Sequence, residues 1–432
     1  MMMRLRHLAT ITNSNVDKVT SPDEHPVRLC NYVDVYKNDR ITNDLDFMDA
    51  SATQIEIRKF GLKVGDVLIT KDSEDRSDIA VPAYVTETAD DLVCGYHLAL
   101  LRARQQLIKG KFLFWALQSK QAREAFSNAA GGVTRFGLTL DGIKSVELPC
   151  PDLETQTAVG DFLDSETARI DQLIDKKLQL VHLLDQKEKS KISSLVLRGI
   201  DSNAKLVDSE IEWRGQVPVH WNQSRLKAHF RVKKRQGYPD LTVLSVYRDY
   251  GVIEKDSRDD NINKTPLDLT SYQLVCPGDL VINKMKSWQG SLGVSNIEGI
   301  TSPDYVVMTP VGAHYPTYMH FLLRARPMPS VYHMISNGIR IDQWRLEPDR
   351  FLSLPIFLPP LEEQKQIARE VEQIVSRLRH LIEITVLSID RLRELRATLI
   401  TAAVTGQIDV TTWGKKGQTD SQLEQIKEAI QA

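Results

Sequence analysis

One segment near the end of the chain repeats apolar residues at helical spacing over an unusually long distance. After Pro359-Pro360, residues 361–403 contain no glycine or proline. Their apolar positions are separated alternately by four and three residues, with Thr385 and Ser388 filling two places of the same seam: Ile367, Val371, Ile374, Leu378, Leu381, Leu392, Leu395 and Leu399. This heptad spacing predicts a long helix with one apolar edge.

A less regular version of the pattern occupies residues 153–196. Its predicted seam is interrupted by Gly160 and Lys177 and contains Leu163, Ile170, Leu173, Leu180 and Leu184, flanked by Ile174, Leu178 and Val181. Each helix would be about 60–65 Å long at 1.5 Å per residue, too long to bury its stripe on one small domain. We therefore predict that the two helices pair with each other; the alternative is that each packs separately on its own domain.

The two helical segments belong to a longer internal repeat. They begin with the related words "LPCPDLETQ" and "LPPLEEQ", and "LRGID" (197–201) is echoed by "VTGQID" (404–409). Upstream, "VGDVLITKDS" (64–73) is echoed by "PGDLVINKMKS" (277–287). Solenoids repeat every 20–50 residues, so a unit of about half the chain indicates a duplicated domain instead.

The regions that precede the helices are predicted to be α+β. Short β-like runs such as 67–70 and 280–283 alternate with helical patches such as 111–126 and 315–325. The expected organisation is a mixed domain, a long helix, a second mixed domain, a second long helix and a polar tail, at residues 1–150, 151–200, 201–357, 358–410 and 411–432. Similarity within the first mixed domain is expected to start near "HPVRLCNYVDVY" (25–36).

Composition excludes several classes of protein. The 432 residues are 42% hydrophobic and 26% charged, as in ordinary globular domains, and the net charge of −2 is not that of a lone DNA-binding domain. The four cysteines form no CxxC pair, and no run of eighteen apolar residues occurs, so a reducing cytoplasm is the expected location. No GxxxxGK[ST], GxSxG or HExxH motif is present. A fused nuclease would need a catalytic constellation that this search does not find.

Local charge is more informative than net charge. The run "RLKAHFRVKKRQ" (225–236) holds six lysines and arginines and no acid, "NKMKSWQG" (283–290) mixes lysine with asparagine, tryptophan and glutamine, and "SNGIRIDQWR" (336–345) adds arginine and glutamine. Cations grip phosphates, whereas Asn, Gln and Arg can read base edges. Candidate DNA contacts in the second domain are Arg231, Lys233, Lys234, Arg235, Lys284, Lys286, Ser287, Trp288, Gln289, Arg340 and Gln343. The first domain has a sparser set, Lys71, Arg76 and Arg135. A solvated basic face around a core tryptophan is the competing interpretation.

Together, the duplicated domain and its "LPPLEEQKQIA" helix start resemble the specificity subunit of type I restriction–modification systems. The words "VTGQIDV", "VDSEIEWRGQVPVHW" (207–221), "NKMKSWQGSLGVSNIEGITSPDYVV" (283–307) and "SNGIRIDQWRL" carry the same resemblance, which spans roughly residues 65–410. It implies two target recognition domains that read the halves of a split, asymmetric DNA site. It also implies two helices paired antiparallel, whose length sets the spacing between the halves.

The resemblance further implies a chain without a catalytic centre or cofactor of its own. Two modification subunits would dock on the repeats, bind S-adenosylmethionine and methylate adenine N6, and restriction subunits using ATP and Mg²⁺ would join them. The docking candidates lie near the helix starts: Leu153, Gln156, Leu361, Glu362 and Gln364. The competing class is a coiled-coil scaffold that binds only proteins and does not read DNA.

Overall fold

The structure is a computed structural model that describes residues 1–258, 265–338 and 344–410. The chain forms two compact units. Unit 1 contains Met1–Leu178 together with the chain from Leu387 onward, and unit 2 contains Gln179–Val386. Each unit therefore contains part of each long helix. Among the described residues, no helix is long and apolar enough to cross a membrane.

Unit 1 begins with a strand, a short helix and a second strand. Its described strands are β1 Met2–Arg4, β2 Ala9–Asn13, β3 His25–Cys30, β4 Arg40–Ile41, β5 Met48–Ala52, β6 Val67–Thr70, β7 Asp72–Ser73, β8 Pro82–Val85, β9 Leu92–Cys94, β10 Leu98–Ala103, β11 Phe136–Gly137 and β12 Glu147–Pro149. Its helices are α1 Leu5–Leu8, α2 Tyr32–Lys37, α3 Gln54–Phe60, α4 Gly110–Leu117, α5 Lys120–Ala129, α6 Leu140–Ser145 and the first half of α7 Leu153–Arg198.

The centre of unit 1 is a five-stranded sheet in the order β2-β10-β6-β8-β4. Strand β6 is buried at every position, because the sheet is covered on both faces. Helix α4 is apolar on all sides, and its Phe112, Phe114 and Trp115 lie in the main core. Helix α5 follows at once, and the Ser119 side chain caps it by accepting a hydrogen bond from the Ala122 amide.

Unit 2 contains the remaining elements. Its described strands are β13 Leu206–Asp208, β14 Gln216–Pro218, β15 Asn222–Arg225, β16 Phe230–Val232, β17 Leu244–Tyr247, β18 Gly251–Glu254, β19 Gln273–Val275, β20 Leu280–Asn283, β21 Leu292–Val294, β22 Gly299–Thr301, β23 Tyr305–Pro310 and β24 Pro355–Leu358. Its helices are the second half of α7, α8 Pro316–Leu323, α9 Met328–Ile335, α10 Pro348–Leu352 and most of α11 Leu361–Val404. Strands β16-β23-β20-β21 form its largest sheet.

The internal repeat is visible in the strand pairing of the two units. Strand β1 pairs with β12 just before α7, and β15 pairs with β24 just before α11, both antiparallel. The Leu5 amide donates to the Val146 carbonyl at 2.8 Å, and the Leu226 amide donates to the Leu354 carbonyl at 3.1 Å. The expectation that similarity in the first domain starts near His25 is therefore wrong. The matching structure begins with β1, which is too short for its sequence to signal it.

Within unit 1 the long helices pack against each other. Residues of α7 and α11 share one buried cluster, which contains Leu163, Ile170 and Ile174 from α7 and Ile389, Leu399 and Ile400 from α11. Arg396 of α11 bridges to Asp171 of α7 at 3.0 Å. The start of one helix thus lies beside the end of the other, so the pairing is antiparallel, as predicted.

Unit 2 shows the complementary pairing, with the end of α7 beside the start of α11. Val196 of α7 shares a buried cluster with Ile367 and Val371 of α11. Arg379 of α11 reaches Glu188 of α7 at 3.4 Å. The prediction of paired helices is confirmed, and the alternative of two helices packed separately is not.

The predicted seam of α7 is wrong at two positions. Leu173 and Leu180 are 44% and 45% exposed, whereas Ile174, predicted as a flanking residue, is buried. In α11, Ile389 is buried beside the predicted seam residue Ser388. A straight α-helix drifts by about 20° per heptad relative to a 3.5-residue repeat, which moves the buried edge by one residue along a helix this long.

Candidate nucleic-acid interface

Two of the basic and polar segments of unit 2, residues 283–290 and 336–345, come together although about fifty residues separate them. The Leu346 amide donates to the Lys284 carbonyl at 3.1 Å. The ring of Trp288 lies 6.4 Å from that of Trp344, and His333 of α9 stacks on Trp344 at 3.9 Å. The aromatic cluster holds the two segments at one edge of the unit. Arg340 and Gln343 lie outside the described residues.

The loop that follows β20 presents its side chains unequally. The Asn283 side chain accepts from the Met285 and Lys286 amides at 3.1 and 3.2 Å, which folds the loop into a tight turn. Lys286 and Gln289 are exposed and Lys284 is half-buried. Ser287 is fully buried, and its hydroxyl finds no hydrogen-bond partner among the described residues. The loop therefore offers two lysines and one glutamine to a ligand.

The basic run on β16 is mostly free to contact phosphates. Arg231, Lys233 and Lys234 are exposed at the edge strand of the four-stranded sheet. Arg235 is different, since it pairs with the buried carboxylate of Asp279 and donates to the Leu274 carbonyl at 3.4 Å. Its guanidinium is occupied inside the unit, which makes it a weaker candidate for DNA contact.

A cleft of about 1000 Å³ lies beside the loop that follows β20 in unit 2. Gln289 and Gly290 line it, together with four arginines, Arg248, Arg324, Arg326 and Arg379, and three acids, Asp185, Glu188 and Asp249. Arg324 donates to the Leu292 and Arg248 carbonyls at 2.7 and 2.5 Å. Burial, opposed by the attraction of Asp249, lowers its pKa to about 10. The guanidinium stays charged at neutral pH, but it is bound to backbone carbonyls, and Arg248 and Arg379 pair with Asp249 and Glu188. The cleft therefore contains mostly paired charges.

His320 lies behind this cleft, where its ring hydrogen-bonds the Val294 carbonyl at 3.1 Å. Burial, reinforced by the positive charge of Arg324, lowers its pKa to about 4. Gly251 has a left-handed φ of 76°, and a Cβ there would come within 2.6 Å of the His320 ring. The imidazole of His320 is therefore held neutral. Only glycine at position 251 leaves room for its ring.

In unit 1 the three candidate cations gather around the short β7–β11 pair. Lys71 immediately precedes β7, Arg135 immediately precedes β11, and the Arg76 guanidinium lies 5.9 Å from the Phe136 ring. Arg135 is exposed, whereas Arg76 donates to the Ser127 and Ala130 carbonyls at 2.9 and 3.0 Å. Arg76 thus fastens helix α5, which makes it a weaker candidate than Arg135.

Lys71 sits in a small charge network. Its ammonium lies 2.8 Å from the Asp72 carboxylate, which also contacts the His97 ring at 2.8 Å. Burial disfavours the charged carboxylate, but the hydrogen bonds from Lys71 and His97 outweigh it, so the pKa of Asp72 is lowered. Lys71 is therefore a partly neutralised cation, held in place beside a groove that Asn13, Asn15, Lys18 and Tyr96 also line.

The candidate DNA-contact regions of the two units share one backbone plan. The Leu138 amide donates to the Lys71 carbonyl at 2.8 Å, just as Leu346 donates to Lys284. In unit 1, an antiparallel β-bridge joins Gly131 to Gly137, the residue just before Leu138. In unit 2, the same kind of bridge joins Asn337 to Arg345, the residue just before Leu346. The segment "GGVTRFG" therefore corresponds to the segment that contains Arg340 and Gln343. This equivalence was not predicted from the sequence.

Two docking candidates, Gln156 and Gln364, are buried in equivalent contacts at the helix starts. Gln156 is 1% exposed, accepts from the Lys109 amide at 2.8 Å and donates to the Pro151 carbonyl at 2.8 Å. Gln364 is 3% exposed, accepts from the Tyr315 amide at 2.8 Å and donates to the Pro359 carbonyl at 2.9 Å. Each glutamine locks a long helix to the start of α4 or α8.

The other docking candidates are accessible. Leu361 is 41% exposed, and the Glu362 side chain is 78% exposed with Lys365 at 2.7 Å. Leu153 is half-buried. Four apolar residues of the long helices in unit 2 are also exposed, each by at least 39%: Leu180, Leu183, Leu381 and Ile384. Leu180 and Leu381 were predicted to lie in the buried seam, and that prediction is wrong for both.

Residues 19–183 match the family described as the type I restriction modification DNA specificity domain. A curated relative from Methanocaldococcus jannaschii, provisionally named the MjaX specificity subunit of a type I restriction enzyme, is 22% identical over 373 residues. The match covers 83% of this chain and 82% of the relative. The resemblance to type I specificity subunits, predicted from the sequences at the helix starts, is thereby confirmed. It agrees with the prediction of a non-catalytic chain.

Solved structures show the same fold. A chain from a study of complex assembly and conformational transition of the type I R-M system superimposes with a TM-score of 0.65 at 15% identity, covering 94% of this chain and 97% of that one. The HsdS subunit from Thermoanaerobacter tengcongensis gives 0.52 at 16% identity, with the same coverages. The predicted mixed α/β architecture with paired long helices is therefore confirmed.

Proposed function

We propose that this chain is the DNA sequence-recognition subunit of a type I restriction–modification complex. Each mixed domain, at residues 1–150 and 201–357, reads one half of a bipartite, asymmetric DNA site. The observation that carries the proposal is that the same arrangement occurs twice. In each unit, a backbone hydrogen bond joins a later segment to the carbonyl of Lys71 or Lys284, and a long helix follows that segment in the chain. Two readers raise specificity, because the free energies of two half-sites add.

The paired helices act as the spacer between the two readers. Two readers joined by a flexible linker would accept half-sites at many separations. Two helices of 46 and 44 residues that pack against each other are stiff by comparison. The helix pair thus rejects correctly read half-sites at the wrong distance.

Side chains in unit 2 divide into two kinds of contact. Lys284 and Lys286, together with the exposed cations Arg231, Lys233 and Lys234, bind phosphates. Gln289 is the exposed residue of the loop whose amide can make a bidentate bond to a base edge. The near-neutral net charge is compatible with this function because partner subunits supply further phosphate contacts.

The repeats dock two adenine-N6 methyltransferase subunits. Two identical partners can use equivalent surfaces on a chain with an internal repeat, although the bases read differ. The accessible docking residues are Leu153, Leu361 and Glu362. S-adenosylmethionine, and the ATP and Mg²⁺ of restriction subunits, belong to these partners, as does the pocket for the flipped adenine.

Mapping of methylated adenines by long-read sequencing tests the proposal. Cells that express this chain with the adjacent modification gene should methylate adenines in two short words at one fixed spacing. Methylation of one uninterrupted word, or none above cells lacking this chain, would contradict it. The competing scaffold function predicts methylation whose sequence preference is unchanged when this chain is absent.

A further inference from the structure

A groove in unit 1 places several polar side chains that no charge pattern singled out beside the candidate Lys71. It has a volume of about 690 Å³ and is lined by Asn13, Asn15, Lys18, Lys71 and Tyr96, with Ser14, Asp17 and Val19. The residues come from the end of β2, the turn before β10 and the end of β6. Three separate strand ends therefore converge on one recess, which is a common origin of a binding site.

The Asn13 carboxamide is the least satisfied polar group in this groove. Its Oδ1 is buried and has no hydrogen-bond partner among the described residues. The adjacent Ser14 is fastened, since its hydroxyl donates to the Cys94 carbonyl at 2.5 Å, and Asn15 donates to Glu56 at 2.6 Å. A buried acceptor without a donor is destabilising, so the position favours a ligand that brings an N–H group.

The strand register relates this groove to the basic surface of unit 2. In unit 1, Ile11 pairs with Leu101, which pairs with Val67. The corresponding ladder in unit 2 runs from Val232 to Met308 to Leu280.

Counting two residues onward from Ile11 and from Val232 places Asn13 at the position of Lys234. The alignment of the Gly-Asp strands places Lys71 at the position of Lys284. Lys234 and Lys284 are candidates for DNA contact on independent grounds, namely their charge pattern. The groove therefore lies on the face of unit 1 that corresponds to the basic face of unit 2.

The segment 131–137 adds an apolar side chain next to the groove. Val133 is 92% exposed, close to the exposed Arg135, and the preceding Gly132 has a left-handed φ of 134°. The segment leads into β11, and the bond from the Leu138 amide to the Lys71 carbonyl ties it to the groove. An isolated apolar side chain beside an arginine is suited to the methyl group of thymine.

From these observations we infer that the groove and the segment 131–137 form the base-reading surface of unit 1. Asn13 reads an adenine, accepting a hydrogen bond from its N6 amino group, which is the typical pairing of an asparagine side chain. Val133 contacts a thymine methyl group, and Lys18 and Arg135 contact phosphates. The inference rests on the proposed function and assigns the residues by which the first half-site is read.

Methylated-adenine mapping in cells that express the full chain with its modification subunit tests the inference. Asn13→Ala should relax the choice at one base of one half-site, with selectivity there reduced roughly 5- to 100-fold. The other half-site and the spacing should be unchanged. Asn43→Ala, an asparagine in unit 1 outside the groove, is the matched control and should leave both words intact.

A second variant keeps the test decisive if Asn13→Ala fails to fold. Val133→Ser alters a side chain that packs against almost nothing, so it should fold normally and relax the choice at a thymine in the same half-site. Unchanged words with either folded variant overturn the inference but leave the proposed function standing. A loss of methylation at all sites without a change in melting temperature also overturns the inference. A wild-type chain without a bipartite word refutes the proposed function itself.

Discussion

The buried glutamines at the helix starts allow one prediction to be worked out in detail. Gln364→Leu keeps approximately the same side-chain volume but removes the acceptor of the Tyr315 amide and the donor to the Pro359 carbonyl. Each buried group left without its partner costs about 1–3 kcal/mol. We therefore expect the free energy of opening around α8 to fall by about 2–6 kcal/mol.

Because the chain has two compact units, one unfolding midpoint does not report on one equilibrium. Amide hydrogen exchange, read by mass spectrometry on peptides from each unit, separates them. Gln364→Leu should speed exchange near Tyr315 and leave peptides of unit 1 unchanged. Gln156→Leu should have the reciprocal effect near Lys109. The exposed Gln373 on α11 supplies the control, and Gln373→Leu should change stability by no more than about 0.5 kcal/mol.

Copurification with the modification subunit shows whether Gln364 fastens α11 to the start of α8 or contacts the partner. If Gln364→Leu left exchange unchanged but abolished copurification, the glutamine would be a contact for the partner and would not fasten the helix. Faster exchange with copurification retained would support the fastening role.

Three further predictions concern DNA, partner and pH. Lys284→Ala should weaken binding to every DNA sequence and reduce the slope of log K against log salt by about 0.9, whereas Gln289→Ala should relax one base position by about 1–3 kcal/mol; identical titrations of both variants and wild type would show that this loop does not touch DNA. Glu362→Lys should reduce copurification with the modification subunit, and unaltered recovery would remove Glu362 from the docking surface. Since the pKa of His320 is about 4 when folded and 6.5 when exposed, the unfolded chain binds more protons between these values, so stability is full above pH 6.5 and falls as the pH drops toward 4. The loss from this one group is on the order of 3 kcal/mol. His320→Gln should reduce the loss in a pH series of hydrogen exchange on peptides of unit 2, leaving the part due to His314, whose pKa burial also lowers to about 4. An equal pH dependence in the variant and the wild type would contradict the prediction.

The sequence predicted the long helices well because heptad spacing is a local signal. Residues 361–403 and 153–196 lie almost entirely within α11 and α7. The buried edge of α7 was less predictable, since leucines occur on several faces and only the partner helix decides that Ile174, not Leu173, is covered. Strand β1 was also missed, because three residues that pair with β12 over 140 residues later carry no periodicity of their own.

Candidate contact residues could be found by type but not by their partners. Charge pattern cannot distinguish the exposed Lys234 from its neighbour Arg235, whose guanidinium is taken up by the buried Asp279. Gln156 and Gln364 were noticed because they recur, but recurrence is equally compatible with docking and with internal bonding. Asn13 carries no charge and lies in a strand without a motif, so only the strand register relates it to Lys234.

One backbone hydrogen bond closes each of the two candidate DNA-contact regions, from Leu138 to Lys71 and from Leu346 to Lys284, and neither bond uses a side-chain atom. Exposed residues of the short segment that ends at Leu138, such as Val133 and Arg135, can therefore be exchanged while the backbone contact persists. Under the proposed function, point substitutions in such a segment would change the recognised DNA sequence with little effect on the fold. Residues whose side chains do the fastening, such as Asp279 and Gln364, have no comparable freedom to vary.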